Sequence, residues 1–242
     1  MPKPLSPADM AAIARALSAP RFGRYLADKG GNAADALALY DWNARVSAAF
    51  LHPLHVFEVT LRNGVAAAVE AEYGRDWHLA PLFVGSLPSV DKRTGAMSGQ
   101  RKELLDTVAK VEREMLRRLP PRASGTVKAP VGKVVAELKF SFWNTMLTAR
   151  HDKTIWSKHF PTGFPGAPAT GPGGIPRRRR LHEEAEAVRE FRNRIAHHEP
   201  VFMRDLRAEY ARILRVVRWH DRRTAAWMHG AQSVVALLAR KP

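Results

Sequence analysis

Apolar residues recur every three to four positions along almost the whole chain, and this periodicity is the strongest constraint on its fold. The first run opens on Ser6-Pro7-Ala8-Asp9: a serine N-cap, a proline at the first helical position and an acid that completes a capping box. Met10, Ile13, Ala14 and Leu17 follow at helical spacing, and Pro20 is expected to end the run. A short helix is expected over 22–28, closed by Gly30-Gly31. Asn32 then caps a helix with the apolar stripe Leu37, Tyr40, Ala44, Ala48 and Leu51. His52-Pro53 reads as a break or kink, followed by a long buried helix over 54–73 with Leu54, Phe57, Leu61, Val65 and Val69 inward.

Residues 84–98 read as loop, and 100–119 as a charged amphipathic helix that Pro120-Pro121 terminates, with 122–130 as connector. The next helix is expected over 131–150, with bulk from Phe140, Phe142 and Trp143. Five Gly and five Pro within 161–176 mark a surface loop without regular structure. Helices over 177–197, 203–219 and 224–240 complete the pattern, with no strand and no internal repeat. The expectation is an all-α bundle of eight or nine helices, one composite domain over 1–242.

Charge limits the partners. Lys and Arg number 39 against 23 Asp and Glu, a formal net charge of +16. Nucleic acid is the commonest partner of such a field, because neutralised phosphates release counterions; an anionic membrane surface or an acidic protein are the alternatives. The absence of cysteine excludes disulfides, thiolate metal sites and cysteine nucleophiles. Residues 1–10 carry no apolar signal core, and no run reaches the roughly 18 apolar residues of a membrane span, so a soluble cytoplasmic protein without membrane contact is expected.

The segment that carries chemistry is Glu190-Phe191-Arg192-Asn193-Arg194-Ile195-Ala196-His197-His198-Glu199-Pro200. It closes a helix whose apolar residues are Leu181, Ala185, Val188, Phe191 and Ile195. Asn193 and His197 are four apart, so the amide can orient the imidazole. Arg192 and His197 differ by about 140° around an ideal helix, which a long side chain or a loosened last turn can bridge. Arg194 and His198 form a second candidate pair. A guanidinium grips phosphate oxygens, and a histidine moves protons to or from a ribose 2′-OH or a leaving 5′-oxygen. With the 2′-OH as nucleophile no metal is needed, and DNA is excluded by mechanism. The same residues near a helix C-terminus can equally be ordinary caps and dipole partners.

The run 192–200 resembles the signature of HEPN-fold proteins, specifically the Abi-like (abortive infection) group, whose motif is Arg, a polar residue, three others and His. Phe57-Glu58-Val59-Thr60-Leu61-Arg62-Asn63 and Phe140-Ser141-Phe142-Trp143, leading to Ile155-Trp156, are similar to other parts of that pattern. The resemblance implies a HEPN-type core over about 54–240 with additional N-terminal helices over 6–51. It also implies a metal-independent endoribonuclease, a toxin or phage-defence effector without cofactor. Arg192 and His197 would be catalytic, with Asn193 the orienting residue and His198 in a supporting place. One motif per chain implies a homodimer with a composite site, under possible control by an antitoxin protein or small regulatory RNA. A non-catalytic RNA-binding or protein-interaction module is the alternative.

Glu58 and Arg62, four apart, with Asn63, are read either as an internal ion-pair region or as support for Arg192 and His197. Arg177, Arg178, Arg179 and Arg180 oppose the helix dipole, so either RNA phosphate compensates them, together with Arg194 as an RNA contact, or the helix starts later, near Glu183. His52 and His55 could be read as a metal pair, but Pro53 breaks the geometry, and no metal is expected. His151, His159, His220 and His229 read as structural or exposed. Gly171-Pro172-Gly173-Gly174 lacks the Lys and Ser/Thr of a phosphate loop. Trp219 and Trp227 are expected to pack in the core rather than stack on bases.

Overall fold

The capping chemistry sets the helix starts. A computed structural model describes residues 5–88, 90, 95, 99–118, 127–170, 174 and 176–242. Ser6 accepts from the Asp9 N–H while Asp9 accepts from the Ser6 N–H, so α1 (Pro7–Ala16) opens on the expected capping box. Pro20 does not end that helix. It sits in the first turn of α2 (Ala19–Asp28), where a missing N–H costs nothing. Asn32 Oδ1 accepts from the Ala34 and Asp35 N–H groups and caps α3 (Ala33–Tyr73).

Helix α3 runs 41 residues through Pro53, so of the expected break or kink the break does not occur. A mid-helix proline costs about 3 kcal/mol. Phe50, Leu54 and Phe57 on either side of it are buried, and burying each side chain contributes about 1.5–3 kcal/mol, so packing outweighs the lost backbone bond.

Part of the expected 84–98 loop is also helical, as α4 (Pro81–Ser86), and α5 (Gly99–Arg117) follows. The Pro120-Pro121 stop lies outside the described residues. The expected 131–150 helix is broken into α6 (Val131–Glu137) and α7 (Phe140–Met146), because Leu138 turns extended to bury its side chain and the Lys139 N–H donates to Glu103. A 3₁₀ turn, a π turn and α8 (Ser157–Gly163) continue the chain, so the Gly/Pro loop begins only after Pro161 has been taken into a helix. The rest comprises α9 (Arg177–Ala196), α10 (Leu206–His220), α11 (Arg222–Ala231) and α12 (Val234–Leu238), the last two replacing one expected helix. The described fold is all-α with twelve α-helices, more than the eight or nine expected, and only isolated bridges in place of strands. Among the described residues no helix is long and apolar enough to cross a membrane.

The chain forms two compact units interleaved in sequence. The first comprises Met1–Leu54, Val188–Ile213 and Met228–Pro242. In it Tyr25 packs on Tyr40 and Phe202 at 5.0 and 4.9 Å, and Phe50 meets Phe191 edge-on at 4.7 Å. Buried Asn43 accepts from the Val201 and Phe202 N–H groups at 2.8 and 3.1 Å, which fixes the chain just after α9. The Trp42 indole N–H donates to the Leu237 carbonyl and ties in α12.

The second unit comprises His55–Ala187 and Leu214–Trp227. Its core holds Phe57, Trp77, Phe83, Trp143, Phe160 and Phe164. There α3 and α8 meet backbone to backbone: a Cβ on Gly64 would lie 2.7 Å from the Phe164 ring and 2.9 Å from the Gly163 carbonyl oxygen, and a Cβ on Gly163 would fall onto the Gly64 carbonyl.

Candidate active site

Five apolar side chains of α9 are buried, Leu181, Ala185, Val188, Phe191 and Ile195, as the periodicity requires. That stripe leaves the opposite side of the last turns to solvent. Arg192 and Ala196 are exposed, Asn193 and Arg194 half-buried, and His197, His198 and Glu199 exposed.

The helix stops at Ala196, and the His197 N–H donates to the Asn193 carbonyl as its last regular bond. The Glu199 N–H then donates back to the Arg194 carbonyl at 2.8 Å, and the His198 N–H to that of Ile195 at 3.0 Å. This is a Schellman motif, with His198 in the left-handed position at φ 55°. A side chain there costs about 1–2 kcal/mol that glycine avoids. The conformation is held from outside the helix, since Arg21 Nη1 donates to the His198 carbonyl at 3.1 Å and Asn43 anchors the next residues. Arg194 Nη1 lies 3.4 Å from the Glu199 carboxylate, so it pairs with Glu199 rather than with His198.

Arg192 Nη1 donates to Asn193 Oδ1 at 3.4 Å. No described hydrogen bond joins the Asn193 amide to the His197 ring, so in this arrangement Asn193 aligns the guanidinium. The His197 imidazole stands in solvent with no described hydrogen bond to either ring nitrogen. The ensemble offers a guanidinium for phosphate oxygens and a ring nitrogen for proton transfer, both accessible to a polymer.

The other end of α9 is differently built. The helix begins at Arg177, not near Glu183, and protein groups compensate the arginines. Arg177 lies over the Phe160 ring at 4.8 Å and Arg180 over Trp219 at 5.0 Å. Arg179 pairs with Glu183 at 2.8 Å. Arg178 is only 14% exposed; its Nε and Nη2 donate to the two Asp152 carboxylate oxygens and its Nη1 to the Leu147 carbonyl. These local contacts give each arginine a structural place.

Glu58, Arg62 and Asn63 belong to the second unit and the 192–198 segment to the first. Glu58 and Arg62 are half-buried, Asn63 is exposed, and Arg62 Nε is buried without a hydrogen-bond partner. Among the described residues no group of three or more His, Asp or Glu could hold a metal ion. His159 donates to Glu72, His220 to the Gly163 carbonyl, and His229 hydrogen-bonds Tyr210. His151 is buried, and burial, reinforced by Arg150, pushes its pKa down to about 4. Trp219 is buried as expected, whereas Trp227 is 61% exposed, because α11 turns that face outward. Gly171-Pro172-Gly173 lies outside the described residues.

Sequence reasoning missed Arg21 and Asn43, which hold the turn after α9 from 177 and 158 residues away. The stripe expected along α3 is on the wrong face: Ala44, Ala48 and Leu51 are exposed, and Ala36, Leu39, Asn43, Val46 and Phe50 are buried instead, so Asn43 was read outside the core.

The family model described as Abi-like protein matches residues 14–203, from within α1 through α9 and the turn after it. No curated protein and no solved structure matches the chain.

Proposed function

The chain belongs to the Abi-like protein family, and from that premise we propose that it is a metal-independent endoribonuclease of HEPN type, a phage-defence or toxin effector of abortive infection. The observation that carries the reading is the exposed end of α9, where Arg192, held by Asn193, and an accessible His197 ring lie within the matched segment. The +16 charge supports a polyanionic substrate.

In this reaction the ribose 2′-oxygen attacks the adjacent phosphorus and the bond from phosphorus to the 5′-oxygen breaks. The 2′-OH proton passes to a ring nitrogen of His197. Arg192 carries the negative charge that grows on the non-bridging oxygens, an interaction strongest in the transition state. The leaving 5′-oxygen needs a proton of its own. In an isologous homodimer, His197 of the second copy supplies it, so that two Arg/His sets serve one cleft. The products are a 2′,3′-cyclic phosphate and a free 5′-hydroxyl. Glu58, Arg62 and Asn63 are assigned a supporting role, and Arg194 a backbone contact to RNA.

The test is cleavage of single-stranded RNA by the purified protein in EDTA, with the new ends analysed. Cyclic phosphate ends are expected, and no cleavage by His197→Ala at unchanged thermal stability. Cleavage retained in that variant overturns the assignment. Salt-dependent RNA binding without cleavage by the wild type assigns the protein to the non-catalytic alternative.

A further inference from the structure

Beside the candidate site, wholly within the first unit, lies a cavity of about 490 Å³. This is within the range of about 300–1,000 Å³ usual for small-ligand sites. Three segments enclose it: the start of α2, the middle of α3 and the end of α9. Its polar lining comes from Arg21, Tyr25, Tyr40, Asn43, Ser47, His198 and Glu199, whose carboxylate Arg194 pairs at 3.4 Å. Ala44 and Ala48, both exposed, keep its mouth on α3 open.

Two features separate this cavity from an ordinary surface depression. The first is His198. The Schellman turn needs a left-handed residue, glycine meets that need without strain, and the chain places an imidazole there instead, on the cavity wall. Strain of this kind persists only where the surroundings hold it, and here Arg21 and Asn43 hold it and so fix the residue at the cavity wall. The second is the aromatic corner. Tyr25 and Tyr40 lie 5.0 Å apart at an interplanar angle of 60°, and burial pushes the Tyr25 hydroxyl up to about 12, so it stays a neutral donor at physiological pH.

We propose that this cavity is a nucleobase subsite, which takes one unstacked base of single-stranded RNA next to the phosphate held at Arg192 and His197. Single-stranded RNA is read by splaying a base out, stacking it on an aromatic or imidazole ring and hydrogen-bonding its edge. Tyr40 and His198 supply the ring faces. The Asn43 amide nitrogen, whose partner oxygen is committed to the backbone, and the Ser47 hydroxyl supply the edge. Arg21, exposed at the rim, meets a neighbouring phosphate. The assignment gives His198 a role distinct from that of His197. It rests on the ribonuclease reading for its place along the RNA, though not for its affinity for a base.

The experiment titrates AMP, GMP, CMP and UMP separately into the full chain as wild type, Ala48→Trp, His198→Gly and His197→Ala, by calorimetry. Ala48→Trp fills the cavity from an exposed position, and His198→Gly removes the ring while relieving the turn, so both variants should fold. At least one nucleotide should bind the wild type saturably. Ala48→Trp and His198→Gly should each weaken it tenfold or more, and more than His197→Ala, which removes only a contact near the phosphate. On RNA, Ala48→Trp should raise KM and flatten preference for the base beside the cut. Absence of nucleotide binding to the wild type overturns the subsite, as does equal binding to all four proteins. Loss of self-association in Ala48→Trp with no nucleotide binding also overturns it and assigns the face to a second copy. Nucleotide binding that depends on Ala48 and His198, beside RNA cleavage that survives His197→Ala, leaves the subsite standing and overturns the nuclease reading.

Discussion

The two ends of α9 carry similar charge and use it differently. At the N-terminal end, four consecutive arginines meet Asp152, Glu183, two aromatic rings and a backbone carbonyl inside the second unit. At the C-terminal end, in the first unit, the His197 ring stands in solvent beside Arg192, and the next residue holds a strained turn. In sequence the RRRR run is the more conspicuous basic cluster. Its opposition to the helix dipole is answered by the fold, so a dense charge run does not by itself mark a binding surface. The C-terminal end differs in offering ring nitrogens with no described hydrogen bond at His197, whereas exposed Arg179 is already paired with Glu183.

This contrast can be broken most sharply at His197. His197→Ala should lower RNA cleavage by about 10²–10⁴-fold with thermal stability unchanged; Arg178→Ala should lower stability and leave cleavage unchanged. The N-terminal end has its own acid sensitivity. His151 lies next to Asp152, and burial pushes its pKa down to about 4, against about 6.5 for a free imidazole. The unfolded chain therefore binds the proton first as pH falls. Stability is full above about 6.5 and declines toward about 4, by about 3 kcal/mol in all. Urea midpoints taken from pH 7 to 4 should show this decline, and His151→Phe should flatten it.

Arg178→Ala ranks next. It removes a forked pair and leaves the Leu147 carbonyl unmet, for about 2 kcal/mol of stability by denaturant titration, while RNA affinity stays as in the wild type. Weakened RNA binding at unchanged stability would return the arginine run to the substrate. His198→Gly should stabilise the protein by about 1 kcal/mol and raise its melting temperature by a few degrees. Arg179→Ala, at an exposed i,i+4 pair, should change stability by less than about 0.5 kcal/mol.

Much of this architecture was legible in local chemistry. The Ser6–Asp9 box, the Asn32 cap, the Gly30-Gly31 stop and the buried stripe of α9 follow from neighbours within a few residues, and the structure keeps all of them. Proline was the least reliable punctuation. Pro20 opens a helix, while Pro53 and Pro161 sit within helices, because burial of the surrounding side chains outweighs one lost bond. At the candidate site, residue types and spacing singled out Arg192, Asn193 and His197. The partnership of Arg192 with Asn193, the αL turn at His198 and the cavity wall were not readable. Each depends on side-chain choice or on segments brought together across long stretches of chain.

The crossing of Gly64 and Gly163 has a genetic consequence. Any other residue at either position drives a Cβ into the opposing backbone or the Phe164 ring, and no second change at the other glycine can make room. These two codons are therefore as intolerant of missense change as a catalytic pair, although neither glycine has a side chain to contribute. If expression of the protein arrests growth, survivors selected from a random library should include Gly64 and Gly163 alleles alongside Arg192 and His197 alleles. The two groups would differ in protein abundance: the glycine alleles lose soluble protein, and the Arg192 and His197 alleles accumulate it. Immunoblotting the survivors before sequencing would sort folding alleles from site alleles.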